Sequence, residues 1–215
     1  MLQVKDLDVS IGAVSVLRGV CMEVPAGKFV GLIGRNGAGK TTLMRSVMGL
    51  LPPKAGSISF QGQPLQGSPV HMRARGGIGY MPEDRRLVPD LTVEENVLIP
   101  AWSGGTADHA ARLETVYSMI PEVRQFAQRK SLLLSGGQQK LVALARALMC
   151  GSKLLLLDEP FEGVAPVLAR RLAEVIAGLG EHGLSIVITA SDLSHSREML
   201  DTVYTIDRGK VTAAV

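Results

Sequence analysis

The chain has 215 residues, of which 46% are hydrophobic and 4% aromatic, and its formal net charge is +3. This length allows a full buried core, which must be mainly aliphatic, and favours one α/β domain spanning residues 1–215. The slight positive charge does not require a nucleic-acid partner, and we expect none. The charged pair Lys5 and Asp6 interrupts the N-terminal segment, and no run of about 18 apolar residues follows, so neither a signal peptide nor a membrane span is predicted. We expect a cytosolic protein that reaches a membrane only through a partner.

The first part of the chain predicts antiparallel strands interleaved with one parallel unit. Apolar alternation predicts strands over residues 1–9, 19–24, 28–33, 57–60 and 76–81. A short turn region at Ile11 and Gly12 joins the first two of them. We therefore expect a mixed sheet with an antiparallel β portion near the N-terminus.

A phosphate-binding loop lies between the third of these strands and a helix predicted over residues 42–50. Its residues fit the pattern G-x-x-x-x-G-K-[ST] and are Gly34, Arg35, Asn36, Gly37, Ala38, Gly39, Lys40 and Thr41, followed by Thr42. The glycines let successive N–H groups point inward, and the helix N-terminus adds partial positive charge. Lys40 can reach the β- and γ-phosphates, and the Thr41 hydroxyl can bind Mg²⁺. The alternative is a glycine-rich turn that caps an ordinary helix, but the flanking strand and helix favour nucleotide binding.

The stretch from about residue 92 to residue 150 predicts a helical subdomain inserted within the single domain. Thr92 is typical of an N-cap, since Glu94 and Glu95 follow it in the first helical turn. Helices are predicted over residues 108–119, 122–129 and 138–148, and a Gly-rich loop over residues 102–107.

A second glycine-rich helix start repeats the physics of the phosphate loop. Its residues are Leu134, Ser135, Gly136, Gly137 and Gln138. They combine a hydroxyl, flexible N–H groups and a helix dipole. A chain with two such helix starts either binds two nucleotides or serves a nucleotide held by another chain. A plain serine-capped helix is the structural alternative.

Two carboxylates follow a continuous apolar strand predicted over residues 153–157. Such a run is typical of a buried parallel strand, and it delivers Asp158 and Glu159 to the edge where α/β folds bind ligands. Asp158 is placed to hold Mg²⁺ directly or through water, and Glu159 to orient or deprotonate an attacking water. Taken alone, the pair fits a helix cap equally well. Together with the phosphate loop it favours nucleotide hydrolysis.

The rest of the chain continues the alternation of helices and strands. Helices are predicted over residues 167–179 and 194–200, and strands over residues 184–189 and 203–206. This alternation completes the βαβ units of an α/β domain.

The order of these motifs resembles the ATP-binding subunit of an ABC transporter, over essentially the whole chain. The resemblance implies an α/β fold of the P-loop NTPase (ABC ATPase) type, with a mixed sheet, an N-terminal antiparallel β portion and an inserted helical subdomain. It also implies two subunits paired head to tail, with ATP and Mg²⁺ between the phosphate loop of one and the signature loop, residues 134–138, of the other. Closure on ATP would then drive membrane-spanning permease subunits. A subunit of this kind is peripheral, on the cytoplasmic face of the bacterial inner membrane.

The segment of residues 80–96 narrows the resemblance to ATPases for branched-chain amino-acid uptake. It contains Pro82-Glu83 and, further on, Leu-Thr-Val-Glu-Glu-Asn ending at Asn96, as that branch does. In ABC ATPases generally the position of Glu83 is Gln, which contacts Mg²⁺ and water. A carboxylate there can still bind Mg²⁺ but adds negative charge near the γ-phosphate. A solvated charge cluster at residues 83–86 is the alternative. This branch implies an importer for branched-chain or other hydrophobic amino acids, served by a substrate-binding protein.

Three departures from the family pattern predict a modified ATP site. Ile11 stands where an aromatic residue usually stacks on adenine, and Ser191 where a His usually senses the γ-phosphate. Ala165 replaces a usual Asp, as it often does in the amino-acid branch. His195, about one helical turn after Ser191, is expected on the surface. We therefore expect a heterodimer with a second ABC ATPase, in which this chain's own phosphate loop forms the slower site and its signature loop completes the partner's site.

Other functions remain open at this point. The similar importer for urea or short amides fits the same motifs. A soluble ABC protein acting on DNA or ribosomes is disfavoured by the slight charge and the lack of heptads or a duplicated motif set. A nucleotide-binding regulator without turnover is favoured by Ile11 and Ser191, but disfavoured by Lys40, Asp158 and Glu159.

Overall fold

Two β-sheets form the framework of the protein, in a computed structural model that describes residues 1–104 and 108–213. The strands in this part are β1 (Leu2–Ile11), β2 (Val14–Val24), β3 (Phe29–Ile33), β4 (Ala55–Phe60), β5 (Gln63–Pro64), β6 (Ile78–Met81), β7 (Leu154–Asp158), β8 (Ser185–Ala190), β9 (Thr202–Asp207) and β10 (Lys210–Ala213). The helices are α1 (Lys40–Met48), α2 (Val70–Arg75), α3 (Val93–Gly104), α4 (His109–Met119), α5 (Pro121–Gln125), α6 (Gly136–Cys150) and α7 (Pro166–Gly178).

The smaller sheet is antiparallel, with the strand order β2-β1-β4-β5 among the described residues. The expected N-terminal antiparallel portion is therefore confirmed. The predicted start of the second strand, residue 19, is wrong, because β2 begins at Val14, directly opposite Ile11. A register shift between the pairs Leu7–Val20 and Val9–Leu17, where Gly19 has a φ of 58°, interrupts the alternation and separates residues 14–17 from the predicted part of the strand.

The larger sheet has the order β10-β9-β3-β8-β7-β6. Among the residues that the structure describes, only β10 runs antiparallel to its neighbour, and the other strands are parallel. Each face covers a separate core. Leu155 and Leu157 of β7 belong to the core formed with α3, α6 and α7, whereas Leu154 and Leu156 belong to the core shared with α1 and the smaller sheet. The strand is buried on both sides, as its run of leucines predicts.

Helices α3 to α6 occupy most of residues 93–150. Helices α3, α4 and α5 each pack against α6. Two predictions in this region are wrong. The helix expected over residues 122–129 ends at Gln125. The loop expected over residues 102–107 is helical up to Gly104, and its remainder, residues 105–107, lies outside the described residues. Pro100 lies inside α3.

The segment after β8 also differs from its prediction. Residues 194–200 were expected to be helical, but only the short 3₁₀ turn Arg197–Met199 forms. The Asp192 carboxylate accepts a hydrogen bond from the Ser194 backbone N–H at 2.8 Å, and such local bonds from short polar side chains compete with helix formation. No helix in the described part of the chain combines the length and apolar composition needed to cross a bilayer.

Candidate functional site

The site lies at the sheet edge where the parallel strands β3, β7 and β8 end. The phosphate loop leaves β3 and enters α1 through Gly37 and Gly39, whose φ angles of 81° and 117° favour glycine. Gly34 is required for a different reason, because a Cβ there would lie 2.3 Å from the backbone oxygen of Ile206 on β9. The loop is thus pressed against the sheet, and its curvature is set by backbone positions that side chains cannot occupy.

Lys40 is buried beneath this loop, with only 5% of its surface exposed. Its ammonium donates to the backbone oxygens of Gly34 and, at 3.1 Å, of Arg35. It also forms an ion pair of 2.9 Å with the Glu159 carboxylate. A buried ammonium needs such partners to offset its lost hydration.

Asp158 is fully buried and is held by three hydroxyl groups. One carboxylate oxygen accepts from Thr189 at 2.8 Å and from Thr41 at 3.2 Å. The other accepts from the Tyr80 hydroxyl at 3.2 Å. Burial, followed by the negative charge of Asp158, raises the pKa of Tyr80, so the phenol stays protonated and donates.

Glu159 combines a left-handed backbone with a buried carboxylate. Its φ of 49° is unusual for a residue other than glycine. Its N–H donates to the Thr189 hydroxyl at 3.0 Å. The Ser191 hydroxyl lies 3.3 Å from the carboxylate and 3.1 Å from the side-chain oxygen of Asn36, and its single proton can serve only one of them at a time.

Glu83 shares a cavity of about 320 Å³ with the phosphate loop. Lys40, Thr41 and Glu159 line the same cavity. Partial burial, then the charges of Asp158, Glu162 and Glu159, raise the pKa of Glu83. Neighbouring negative charge therefore opposes ionisation of Glu83, and the described residues contain no cluster of three or more His, Cys, Asp or Glu side chains that could hold a metal ion.

Ile11, the expected contact for adenine, lies outside the cavity that the phosphate loop lines. Ile11 ends β1 with 49% of its surface exposed and does not line this cavity, whereas Val16 on the neighbouring strand β2 does. Ile11 and Val16 lie on the same hairpin, formed by β1 and β2. The contact of Ile11 with adenine stays a prediction.

The signature loop forms the start of α6 and does not line the cavity. Ser135 is the N-cap, and it exchanges hydrogen bonds with Gln138 in a capping box, at 3.3 Å and 2.9 Å. Gly137 is packed so closely that a Cβ would lie 2.1 Å from Leu168 of α7. The serine-capped helix is therefore present, and the close approach of Leu168 requires a glycine at position 137.

Two arginines connect the loop that carries Glu83 to α6. Arg85 donates to the Gln139 side chain at 2.9 Å. Arg146 donates to the backbone oxygens of Arg85 and, at 2.6 Å, of Arg86. Arg85 and Arg86 have φ angles of 61° and 50°, so the backbone of this segment has a fixed and unusual conformation, while the side chains of Glu83, Asp84 and Arg86 are exposed.

Some contacting residues were not singled out from the sequence. Thr189 and Tyr80 contact Asp158, and Lys140 of α6 donates to the Glu159 backbone oxygen at 2.7 Å. Strand pairing brings Thr189 of β8 and Tyr80 of β6 to Asp158, and the packing of α6 on the sheet brings Lys140 to Glu159. The sequence offered one indication of these contacts, the polar Thr189 near the carboxyl end of an otherwise apolar strand.

Comparison with known proteins finds relatives that are all ATP-binding proteins of transport systems. Residues 17–162 match the family described as ABC transporter. The chain is 33% identical to the high-affinity branched-chain amino acid transport ATP-binding protein BraG of Pseudomonas aeruginosa, over 98% of this chain and 91% of that protein. It is 34% identical to the lipopolysaccharide export system ATP-binding protein LptB of Haemophilus influenzae, over 99% and 89%. It is 32% identical to the xylose/arabinose import ATP-binding protein XylG of Sulfolobus acidocaldarius, over 98% and 86%.

Solved structures give the same result for the fold. A nucleotide-free ATP-binding cassette from an ABC transporter superposes with a TM-score of 0.87 at 26% identity, over 99% of this chain and 90% of that one. A cassette in its ADP conformation superposes with a TM-score of 0.85 at 26% identity, over 99% and 89%.

Proposed function

Because the chain belongs to the ABC transporter family of ATPases, we propose that it energises a membrane importer for branched-chain or other hydrophobic amino acids. The relatives include an importer of amino acids, an exporter of lipopolysaccharide and an importer of sugars, so membership alone does not select a cargo. The observation that supports amino acids is the segment of residues 80–96, because the identity of 33% to the branched-chain transport protein is matched by 34% to the lipopolysaccharide exporter.

The observation that carries the assignment of roles is the convergence of Lys40, Thr41, Asp158 and Glu159 at one sheet edge. Positive φ angles at Gly37 and Gly39 suit a loop whose N–H groups turn toward phosphate. In the proposal, ATP is bound by Lys40, by Thr42 and by the backbone of residues 34–41.

The same edge fits a divalent cation. The Thr41 hydroxyl lies 3.2 Å from Asp158, and Glu83 lines the same cavity, so hydroxyl and carboxylate oxygens are available together. Mg²⁺ prefers such oxygen ligands. We assign its binding to Thr41, Asp158 and Glu83. When bound, Mg²⁺ neutralises charge on the phosphate oxygens.

Glu159 is the proposed catalytic residue, which orients and deprotonates the attacking water. In the proposal its ion pair with Lys40 is exchanged, because the three N–H donors of Lys40 already serve Gly34, Arg35 and Glu159, and phosphate takes the place of the carboxylate. This exchange frees the carboxylate to accept a proton once nucleotide holds the lysine.

The signature loop serves a nucleotide bound by a second ABC ATPase subunit. This assignment explains why residues 134–138 form a capped, glycine-rich helix start and yet stay outside the chain's own cavity. The further proposed partners are permease subunits and, through them, a substrate-binding protein. The proposed location is the cytoplasmic face of the bacterial inner membrane, as a peripheral subunit.

The pair is proposed to be asymmetric, with slower turnover at this chain's phosphate loop. Ser191 supports this idea, because its short hydroxyl replaces a titratable imidazole beside Glu159. The test is to change the catalytic glutamate to Gln in one subunit at a time within the assembled transporter. We expect the partner's substitution to remove more ATPase activity, and equal losses would contradict asymmetry.

Two measurements test the function as a whole. Glu159→Gln should lower ATP turnover about 100-fold or more while nucleotide still binds. Retained turnover would refute the role of Glu159. Deleting the gene in its host should abolish uptake of labelled leucine, isoleucine and valine. Loss of labelled urea uptake instead would select the urea or short-amide importer. Unchanged uptake of both would favour a soluble, non-transport ABC ATPase.

A further inference from the structure

Lys140 is a buried cation that the proposed reaction does not use. It lies in α6 with 2% of its surface exposed, and its ammonium donates to the backbone oxygen of Glu159 at 2.7 Å. Burial, then the charge of Arg85, lowers its pKa, while Glu83, Glu162 and Glu159 act in the opposite direction. An apolar side chain would fill this position without the cost of burying a charge, so the ammonium itself needs an explanation.

The hydrogen bond of Lys140 is not needed to satisfy the Glu159 carbonyl. That oxygen already accepts from the Glu162 backbone N–H at 3.2 Å. What Lys140 adds is a fixed position, because the N–H on the other side of Glu159 is held by Thr189 at 3.0 Å. The peptide units on both sides of a left-handed residue are thus held from two different elements, α6 and β8.

This restraint determines where the Glu159 carboxylate lies. The direction of a side chain follows from φ and ψ of its own residue, and Glu159 has a φ of 49°. In this conformation its carboxylate lies 2.9 Å from Lys40 and 3.3 Å from Ser191. Relaxation of the backbone to an ordinary φ would turn the carboxylate away from both partners.

Lys140 also belongs to the helix that carries the signature loop. It follows the N-cap Ser135 by five residues, which places it about 7.5 Å along the axis of α6. Because a helix moves as a rigid body over this distance, a shift of its first turn also moves the Lys140 ammonium.

We propose that Lys140 is a positioning residue, which fixes the Glu159 carboxylate and links it to the position of the signature helix. The inference rests on the proposed roles of Glu159 in hydrolysis and of residues 134–138 in the partner's site. Contact with ligand at the signature helix would thereby reach the catalytic carboxylate of the same chain through one side chain.

The test compares Lys140→Met, which is one atom shorter and loses the donor, with Lys140→Gln, which has the same length as Met and keeps a donor. Lys153→Met serves as the matched control, since Lys153 is exposed and its ammonium donates to the Gln61 side chain, outside the cavity. In the assembled complex we expect Lys140→Met to lower kcat about 10- to 100-fold. KM for ATP and affinity for a fluorescent ATP analogue should change less than about twofold. Lys140→Gln should recover part of kcat, and the control should match the unmodified chain.

A double-mutant cycle separates positioning from general damage. In a Glu159→Gln background the residual turnover should fall less than about twofold on adding Lys140→Met, since the carboxylate is already gone. An equal fold-loss in both backgrounds, or unchanged kcat in a folded Lys140→Met protein, would overturn the inference. Failure of both Lys140 variants to fold would assign the residue to the core and also overturn it. If Glu159→Gln alone retained full turnover, the proposed function would fail instead.

Discussion

The Lys40 ammonium lies 2.9 Å from the Glu159 carboxylate, and the two side chains are only 5% and 7% exposed. Removing one partner of a buried pair leaves the other charge uncompensated. We therefore expect Lys40→Met to lower the free energy of unfolding by about 3–5 kcal/mol in the absence of nucleotide. In a Glu159→Gln background the same change should cost at least about 1 kcal/mol less. Urea unfolding of the four proteins measures both quantities.

The exposed pair of Arg86 and Asp84 is a matched control for this cycle. Its nitrogen and oxygen are also 2.9 Å apart, but both side chains are more than half exposed. Asp84→Asn should therefore shift the urea midpoint much less than Lys40→Met does. Equal costs for the buried and the exposed pair would contradict the argument from burial.

Arg146 should control the order of the loop that carries Glu83. Its guanidinium bonds the backbone oxygens of Arg85 and Arg86, two residues in left-handed conformation. Arg146→Met removes both charged donors, so amide hydrogen exchange in residues 84–88 should rise about 10-fold or more. Arg112→Met is the control, because Arg112 donates to the Leu148 oxygen at the other end of α6. Equal acceleration of the loop in both variants would show general loosening of the helix.

Ile11→Tyr should strengthen binding of adenine nucleotides. Ile11 is half exposed on the hairpin that carries the cavity residue Val16, so an added ring has room to stack on a base. Stacking of a base on an aromatic side chain contributes about 1–3 kcal/mol, which predicts at least about fivefold tighter ATP binding by calorimetry. Binding of inorganic triphosphate should not change. Met72→Tyr is the control, because Met72 on α2 is also 49% exposed and does not line the cavity. A similar gain for triphosphate would exclude stacking as the cause.

Asp201 should make stability depend on acid pH. It accepts from the Lys28 ammonium and the Phe29 backbone N–H, both at 2.8 Å, and these bonds lower its pKa, with Lys28 the larger cause. A lowered pKa stabilises the fold above the unfolded value near 4, and the contribution is lost as pH falls through the folded value. Since both side chains are partly exposed, Asp201→Asn should cost about 0.5–1 kcal/mol at pH 7. Urea unfolding at pH 7, 5, 4 and 3 should show a constant difference from pH 7 to 5 that shrinks below about pH 4, and a difference that stays constant down to pH 3 would contradict this prediction.

Local sequence was sufficient for the phosphate loop and for strand β7, because a glycine pattern and a leucine run each determine their own conformation. It was insufficient for the hydroxyl groups around Asp158. Thr189 lies beside Asp158 only because β7 and β8 pair in that register, and Tyr80 approaches from β6 on the other side. The helix expected over residues 194–200 was wrong for a local reason, since Asp192 offered the backbone a competing bond. The periodicity of apolar residues in the sequence therefore does not predict which strands pair, or where a polar side chain competes with the backbone for a hydrogen bond.

The alternating leucines of β7 restrict which substitutions the strand before Asp158 and Glu159 can accept. Leu154 and Leu156 fill one core and Leu155 and Leu157 the other, with a continuous backbone between them. A change of side-chain volume can be offset by a neighbour within the same core, but no neighbour across the strand can absorb it. Compensating substitutions should therefore occur in two independent sets, and an uncompensated change in either set would displace the carboxylates at the strand's end.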